Sequence, residues 1–319
     1  MTPEPTPVVE RVLALAGTLS DTAVREVSVA LVRGTVSRQS LREWVVGLGI
    51  APSLFPTGNP ELAPTIVDDV TTALLQFGIA CVVGGERIQM ALDVSKGGWS
   101  NLTFPMGKAS VDDDFYLYVA ERAPAAFEAR DADEAREHRV LGGLLGIPDC
   151  CSAFFSQVWP AASKRQGDLV PYSCAMTADL PYPWDFRTNV AAQYFGVAPI
   201  SFFPCSFRCE AAAAVGAVAY EAAQHVSDPS FSHRLANARG TAILYTERHG
   251  IAAWRVDKPE EVAFPGRAHP LRLTSDESRL SQLLRRTERL EVRSPHDLVL
   301  HTRTDQEQLE GPDVALCVF

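Results

Sequence analysis

Five of the seven cysteines of this chain, Cys150, Cys151, Cys174, Cys205 and Cys209, fall within one 60-residue window, while Cys81 and Cys317 stand apart from them. Neighbouring cysteines such as Cys150 and Cys151 do not readily bond to each other, and thiols stay reduced in a chain with no export signal. The clustering therefore points to metal or reactive-thiol chemistry, and a fold that serves it must bring several separate segments together.

At 319 residues the chain is long enough to bury a full core, and its 46% hydrophobic and 21% charged composition is that of an ordinary globular protein. Its formal charge of −10 repels phosphate backbones and anionic lipid unless a basic patch forms locally. The one basic stretch carries Arg279, Arg285, Arg286 and Arg289, but Asp276, Glu277, Glu288 and Glu291 are interleaved with them. That pattern is a salt-bridged solvent face, so no nucleic-acid partner is expected. The start, Met1-Thr-Pro-Glu-Pro-Thr-Pro7, has no basic lead-in, and Val12 to Gly17 is too short for a signal-peptide core, so a cytoplasmic location is expected. The uncharged run from Thr188 to Phe207 has the length of a membrane span, yet it contains Asn189, Gln193, Pro199 and Pro204. Broken backbone is not tolerated in lipid, so the run is read as protein interior and no membrane partner is expected.

The patterning predicts an α+β fold in three parts. Residues 1–125 form an α+β unit, with helices over Val8–Leu19, Asp21–Val32 and Ser40–Leu48 followed by a small antiparallel sheet. In that sheet Phe77–Val83 and Arg87–Leu92 form a hairpin around Gly84-Gly85, and Asp114–Val119 is a further strand. Residues 126–228 form a central helical region that carries the cysteines. Asp131-Ala-Asp-Glu134 caps a helix running to Leu145, Gly146 ends it in the left-handed conformation, and Asp149-Cys150-Cys151 opens the next helix. Residues 160–185 are loop-like, with a helix over Phe186–Phe195, a strand over Ile200–Phe203 and an alanine-rich helix over Cys205–His225. Residues 229–319 form a C-terminal α+β region with a small mixed sheet. Its elements are a hairpin of Thr241–Thr246 and Ile251–Val256, a helix over Asp276–Glu291, and short strands over Asp297–Thr302 and Val314–Val318.

Cys205 and Cys209 are four apart, which on a helix places both thiols on one face within a turn, where two ligands reach one ion. A helix N-terminus adds partial positive charge that favours thiolate over thiol. Cys150 and Cys151 sit in a similar first turn, and Cys174 lies on the loop between the two pairs. The candidate metal ligands are thus Cys150, Cys151, Cys174, Cys205 and Cys209, with Cys151, Cys205 and Cys209 as the cofactor-holding set. Thiolates suit both zinc and iron–sulfur clusters. The CxxC spacing of a zinc ribbon is absent, and Phe154, Phe155, Phe202, Phe203 and Phe207 would shield a cluster, so an iron–sulfur cluster of the [4Fe–4S] kind is placed first and zinc second. With three cysteine ligands one iron stays open to substrate. His138 is a candidate proton carrier or fourth ligand, with Glu134 four residues before it on the same helix face. Asn189 and Arg208 are candidates for binding a carboxylate-bearing substrate, Arg208 through its bidentate geometry.

Glu137-His138-Arg139 with Leu141-Gly142, then Leu145-Gly146-Ile147-Pro148-Asp149-Cys150-Cys151 and Phe154-Phe155, and later Pro204-Cys205-Ser206 to Cys209, resemble a poorly characterised prokaryotic group with an LGxPxCC … PCSxxC pattern, similar to the DUF483 proteins. The resemblance covers residues 134–215 and implies a shared thiol or metal site, without a substrate. That group has a serine soon after the last cysteine, whereas Ala211 to Ala214 contain none here.

The function expected first is an iron–sulfur enzyme, an oxidoreductase, sulfur transferase or lyase, acting on a small polar molecule with an electron donor where the chemistry is redox. A metal-free thiol enzyme with Cys205 or Cys151 as nucleophile is the second reading. A binding module stabilised by zinc is the third.

Overall fold

The computed structural model describes residues 45–50, 75, 80–93, 98–105, 114–120, 123–162, 169–177, 183–195, 198–223, 236, 239–247, 250–256, 262, 269–270 and 279–319. Chain contacts divide it into two units. One comprises Met1–Ala91, Asn101–Ser156 and Val218–Val226, and the other Leu92–Ser100, Gln157–Ala217 and Ser227–Phe319. The expected α+β class is what the chain adopts.

Strands β1 (Val45–Ile50), β2 (Ala80–Asp93), β3 (Gly98–Pro105) and β4 (Asp114–Ala120), which belong to the first unit except for Leu92–Ser100, form a sheet in the order β1-β4-β2-β3. β1 lies where a helix over Ser40–Leu48 was expected. Its Val45-Val46 start pairs antiparallel with Ala120 and Val119 of β4, and ladder pairing with a neighbour outweighs an amphipathic period that was only a few residues long. The expected helices over Val8–Leu19 and Asp21–Val32 lie outside the described residues. Gly84-Gly85 is not a hairpin turn: β2 continues through it, and the register against β4 shifts between Val83 and Arg87. Glycine inside a strand serves an irregularity as readily as a turn, and the local sequence does not separate the two.

Helix α1 (Ala123–Glu134) packs Ala125, Ala126 and Ala129 against Val82, Tyr118 and Ala120 of the sheet. Asp131–Glu134 therefore ends a helix where a capping box was expected to start one. Arg136 turns the chain with φ of 59°, and α2 (His138–Leu144) begins afresh. Tyr118 donates its hydroxyl to Asp133. At the end of α2 the amide of Ile147 donates to Gly142 and that of Gly146 to Gly143, with Gly146 at φ of 68°. This is the paired hydrogen bonding of a glycine-terminated helix, as expected. Pro148 then starts α3 (Asp149–Ala162), accepting from the amides of Cys151 and Ser152.

The second unit contains α4 (Val170–Ala175) in the segment read as loop, and two 3₁₀ turns, Phe186–Thr188 and Val190–Phe195. It also holds the start of α5 (Glu210–Ala223). The expected strand over Ile200–Phe203 is irregular backbone, although its side chains pack into the core. β5 (Thr241–Thr246) and β6 (Gly250–Arg255) pair as the expected hairpin, and β7 (His269–Pro270) and a terminal strand complete a sheet whose order is given below. The helix α6 (Arg279–Arg286) is shorter than expected, because Arg289–Ser294 forms strand β8. β9 (Asp297–His301) and β10 (Gln306–Glu310) follow, in a sheet ordered β10-β9-β8, and β11 (Val314–Val318) returns beside β5 in the order β11-β5-β6-β7.

Every residue of β5 and of β11 is buried, so this sheet is covered on both faces. Ile243, Tyr245, Ala253, Ala315 and Cys317 face a core shared with Val170, Cys174, Trp184 and Phe207. Leu244, Trp254, Leu316 and Val318 face a core completed by Leu280, Leu284, Leu290 and Leu298. Leu280 and Leu284 are fully buried one turn apart on α6, and such a side chain contributes about 1.5–3 kcal/mol through burial.

Candidate metal centre

Cys150 and Cys151 lie in the first turn of α3, where the sequence placed them. Pro148 ahead of them has no amide of its own to leave unpaired, and its carbonyl takes the amides of Cys151 and Ser152 at 2.8 and 3.0 Å. Cys151 is buried and Cys150 exposed, and their sulfurs are 3.9 Å apart. The turn is held close to α2 by Gly142: a Cβ there would lie 2.1 Å from Ser152 Oγ.

Cys205 and Cys209 are placed differently from the expectation. α5 begins at Glu210, so the two are not on one helical face. Cys205 lies in the turn ahead of the helix, and Cys209 is the capping residue. The Cys209 carbonyl accepts from the amide of Ala213 at 2.9 Å, and its sulfur accepts from the amide of Ala212 at 3.4 Å. Sulfur occupies the position usually filled by a serine or aspartate oxygen, and the helix end favours its thiolate form. Both side chains are half-buried.

Buried hydroxyls hold the backbone of this turn. Ser173 donates to the Pro204 carbonyl at 2.6 Å, Thr177 accepts the Phe207 amide at 2.8 Å, and Thr188 donates to the Phe207 carbonyl at 2.9 Å. Thr177 also donates to the Ser173 carbonyl at 2.6 Å, so both of its hydrogen-bonding roles are used. Beneath the turn the Phe207 ring stacks on Trp184 at 5.2 Å and meets Phe319 edge-on at 5.0 Å.

The ligand atoms of Cys150, Cys151, Cys205 and Cys209 all lie within 4.8 Å of one another, a group that can hold a metal ion. Four cysteine sulfurs, with no oxygen or nitrogen donor grouped with them among the described residues, suit a soft or borderline cation such as zinc or iron. Comparison of the chain with protein-family models, with curated proteins and with solved structures returns no match in any of the three. Among the described residues no helix is long and apolar enough to cross a membrane.

Cys174 does not join the four. It is fully buried on α4 in the core of the second unit, beside Cys317, which the sequence set aside as isolated. No signal in the sequence links residues so far apart. Asn189 is fully buried and its Oδ1 accepts the Ala192 amide at 3.0 Å, capping the second 3₁₀ turn. Arg208 is exposed, with its amide on Ser206 Oγ at 3.2 Å. His138 opens α2 and meets Phe155 edge-on at 5.1 Å, and partial burial holds its imidazole below the ordinary histidine range. Glu134 and His138 are not on one helix face, because the chain turns at Arg136 between them. The sequence missed the hydroxyl cradle of Ser173, Thr177 and Thr188, for short polar residues in turns carry no mark of what they will bond.

Proposed function

We propose that Cys150, Cys151, Cys205 and Cys209 bind one metal ion as a tetrahedral thiolate centre, with zinc as the expected ion. Sulfur spacing carries this reading. Around zinc, with Zn–S near 2.3 Å, four tetrahedral thiolates stand about 3.8 Å apart. The Cys150 and Cys151 sulfurs are 3.9 Å apart, and no pair of the four exceeds 4.8 Å. A [4Fe–4S] cluster interposes irons and sulfides between its cysteines and needs them set wider. Bound metal would join α3 to the turn before α5, two segments distant in the chain, and would couple metal binding to folding. We further infer kinship with the DUF483-like group, since the two motif halves that carry the resemblance supply these four sulfurs.

The exposure of Cys150 favours a second reading. With Cys150 outside the ligand set, Cys151, Cys205 and Cys209, once moved apart to the wider spacing a cluster needs, would hold a [4Fe–4S] cluster with one iron open to a small polar substrate. Redox, sulfur-transfer or lyase chemistry would follow there.

Metal and sulfide analysis of anaerobically purified protein separates these readings. About one zinc per chain in a colourless protein supports the single-ion centre. A brown protein with iron and acid-labile sulfide overturns it in favour of the cluster, and protein with neither metal overturns both in favour of metal-free thiol chemistry.

A further inference from the structure

A second sulfur group lies in the core of the second unit. On α4 two adjacent residues serve different neighbours: Ser173 donates to the Pro204 carbonyl, and Cys174 directs its thiol at the Leu316 carbonyl at 3.8 Å. Cys317, next along β11 after Leu316, is buried in the same core cluster as Cys174 and lies close enough to act on its thiol. Both are fully buried. His296, between β8 and β9, has its Nδ1 against the Val314 carbonyl. A carbonyl only accepts, so the proton sits on Nδ1 and Nε2 keeps a lone pair. Nε2 is buried without a hydrogen-bond partner, and the imidazole lies close enough to Cys174 for the two to act on each other. An apolar core needs no such group: a polarised thiol, a base that can take its proton and a second thiol in contact are the parts of a two-electron sulfur couple.

We propose that Cys174 and Cys317 form a dithiol that hydrogen peroxide or another small hydroperoxide oxidises to a disulfide, with His296 carrying the proton. The Cys174 thiol gives its proton to His296 Nε2, and the thiolate attacks one peroxide oxygen. The O–O bond breaks, Cys174 becomes a sulfenic acid, and the departing hydroxide takes the proton from His296. The Cys317 sulfur then attacks the Cys174 sulfur, and hydroxide leaves with the Cys317 proton as water. Two thiols and one peroxide give one disulfide and two waters. Cys317 and His296 beside it lower the Cys174 thiol to about 7 against the opposing effect of burial, and Cys174 in turn raises the His296 imidazole. Both sulfurs are fully buried, so the oxidant proposed is one near the size of water rather than a bulky disulfide.

The test treats the full chain, as purified, with one equivalent of hydrogen peroxide, blocks remaining thiols and maps peptides without reduction. The expected product is a Cys174–Cys317 linked peptide in most chains. Recovery of both residues as blocked thiols overturns the proposal. The Cys317→Ser variant is expected to accumulate a sulfenic acid at Cys174 that a 1,3-dione probe captures, and no capture there overturns it as well. Replacing His296 by glutamine is expected to slow disulfide formation at pH 7 on the order of tenfold, as the thiolate fraction falls, and an unchanged rate removes His296 from the step. None of these readouts depends on what the four-cysteine centre binds.

Discussion

The hydroxyl of Thr177 accepts the backbone amide of Phe207 at 2.8 Å, out of reach of water, and so fixes the turn that carries Cys205 and Cys209 from a position 30 residues earlier, just past the end of α4. Replacing Thr177 by valine keeps the shape and leaves that amide buried without its acceptor, which costs about 1–3 kcal/mol. Denaturant unfolding is expected to show this loss, and chelator competition roughly tenfold weaker metal binding. Thr177→Ser is expected to restore both, because the oxygen is what the amide requires.

Two neighbouring glycines of α2 are expected to respond in opposite directions. A Cβ on Gly142 would lie 2.1 Å from Ser152 Oγ, beside the cysteine doublet, whereas one on Gly143 meets nothing within 4 Å. Gly142→Ala should destabilise by about 1–3 kcal/mol through overpacking. Gly143→Ala should stabilise by roughly 0.5–1 kcal/mol, since alanine is the better helix former. Thermal melts of the two variants check the contrast.

Gly216 on α5 is a third close approach, its added Cβ falling 1.9 Å from the Arg187 carbonyl and 3.2 Å from Ile200. Backbone cannot swing aside as a flexible side chain does. Gly216→Ala is expected to displace the turn that presents Thr188 to Phe207, lowering the unfolding midpoint and weakening metal binding together.

Asp185 accepts the Arg187 guanidinium at 2.5 Å and its amide at 3.0 Å, and these bonds hold its carboxyl below the ordinary range. A depressed carboxyl stabilises the fold at pH above its unfolded value, about 4, and the contribution is lost as pH falls through the lower folded value. The stability difference between the natural chain and Asp185→Asn is expected to be constant above about pH 5 and to shrink towards zero in acid. Unfolding curves across that range measure it. A difference that grows in acid would reverse the assignment.

Single serine substitutions separate ligands from bystanders. Cys151→Ser, Cys205→Ser and Cys209→Ser are expected to lose most bound metal, while Cys174→Ser, whose residue lies in the core beside Cys317, is expected to retain it. Metal content after desalting gives the answer.

What could be read from the sequence followed from local chemistry. Gly146 ends α2 because only a left-handed residue closes that helix without strain, and Pro148 with Asp149 opens the next, so the doublet's place in a first turn was legible. The β5–β6 pairing and the convergence of two cysteine pairs were legible too. Where a local pattern has two meanings, the tertiary neighbour decided. Asp131–Glu134 end a helix because the alanines before them pack on Val82 and Tyr118. Gly84-Gly85 sit inside β2 because β4 pairs on both sides of them. Cys209 caps α5 while Cys205 stays outside it, since the turn answers to Ser173, Thr177 and Thr188 and not to its own helix propensity. The meeting of Cys174 with Cys317 depends on β11 returning beside β5, a contact that no local pattern announces.

X-ray absorption at the metal edge of the purified full chain tests the central claim most directly. A first shell of four sulfurs near about 2.3 Å around a single ion, with no second metal in range, is the expected spectrum. A metal–metal scattering path, or a first shell of nitrogen and oxygen in place of sulfur, would contradict it.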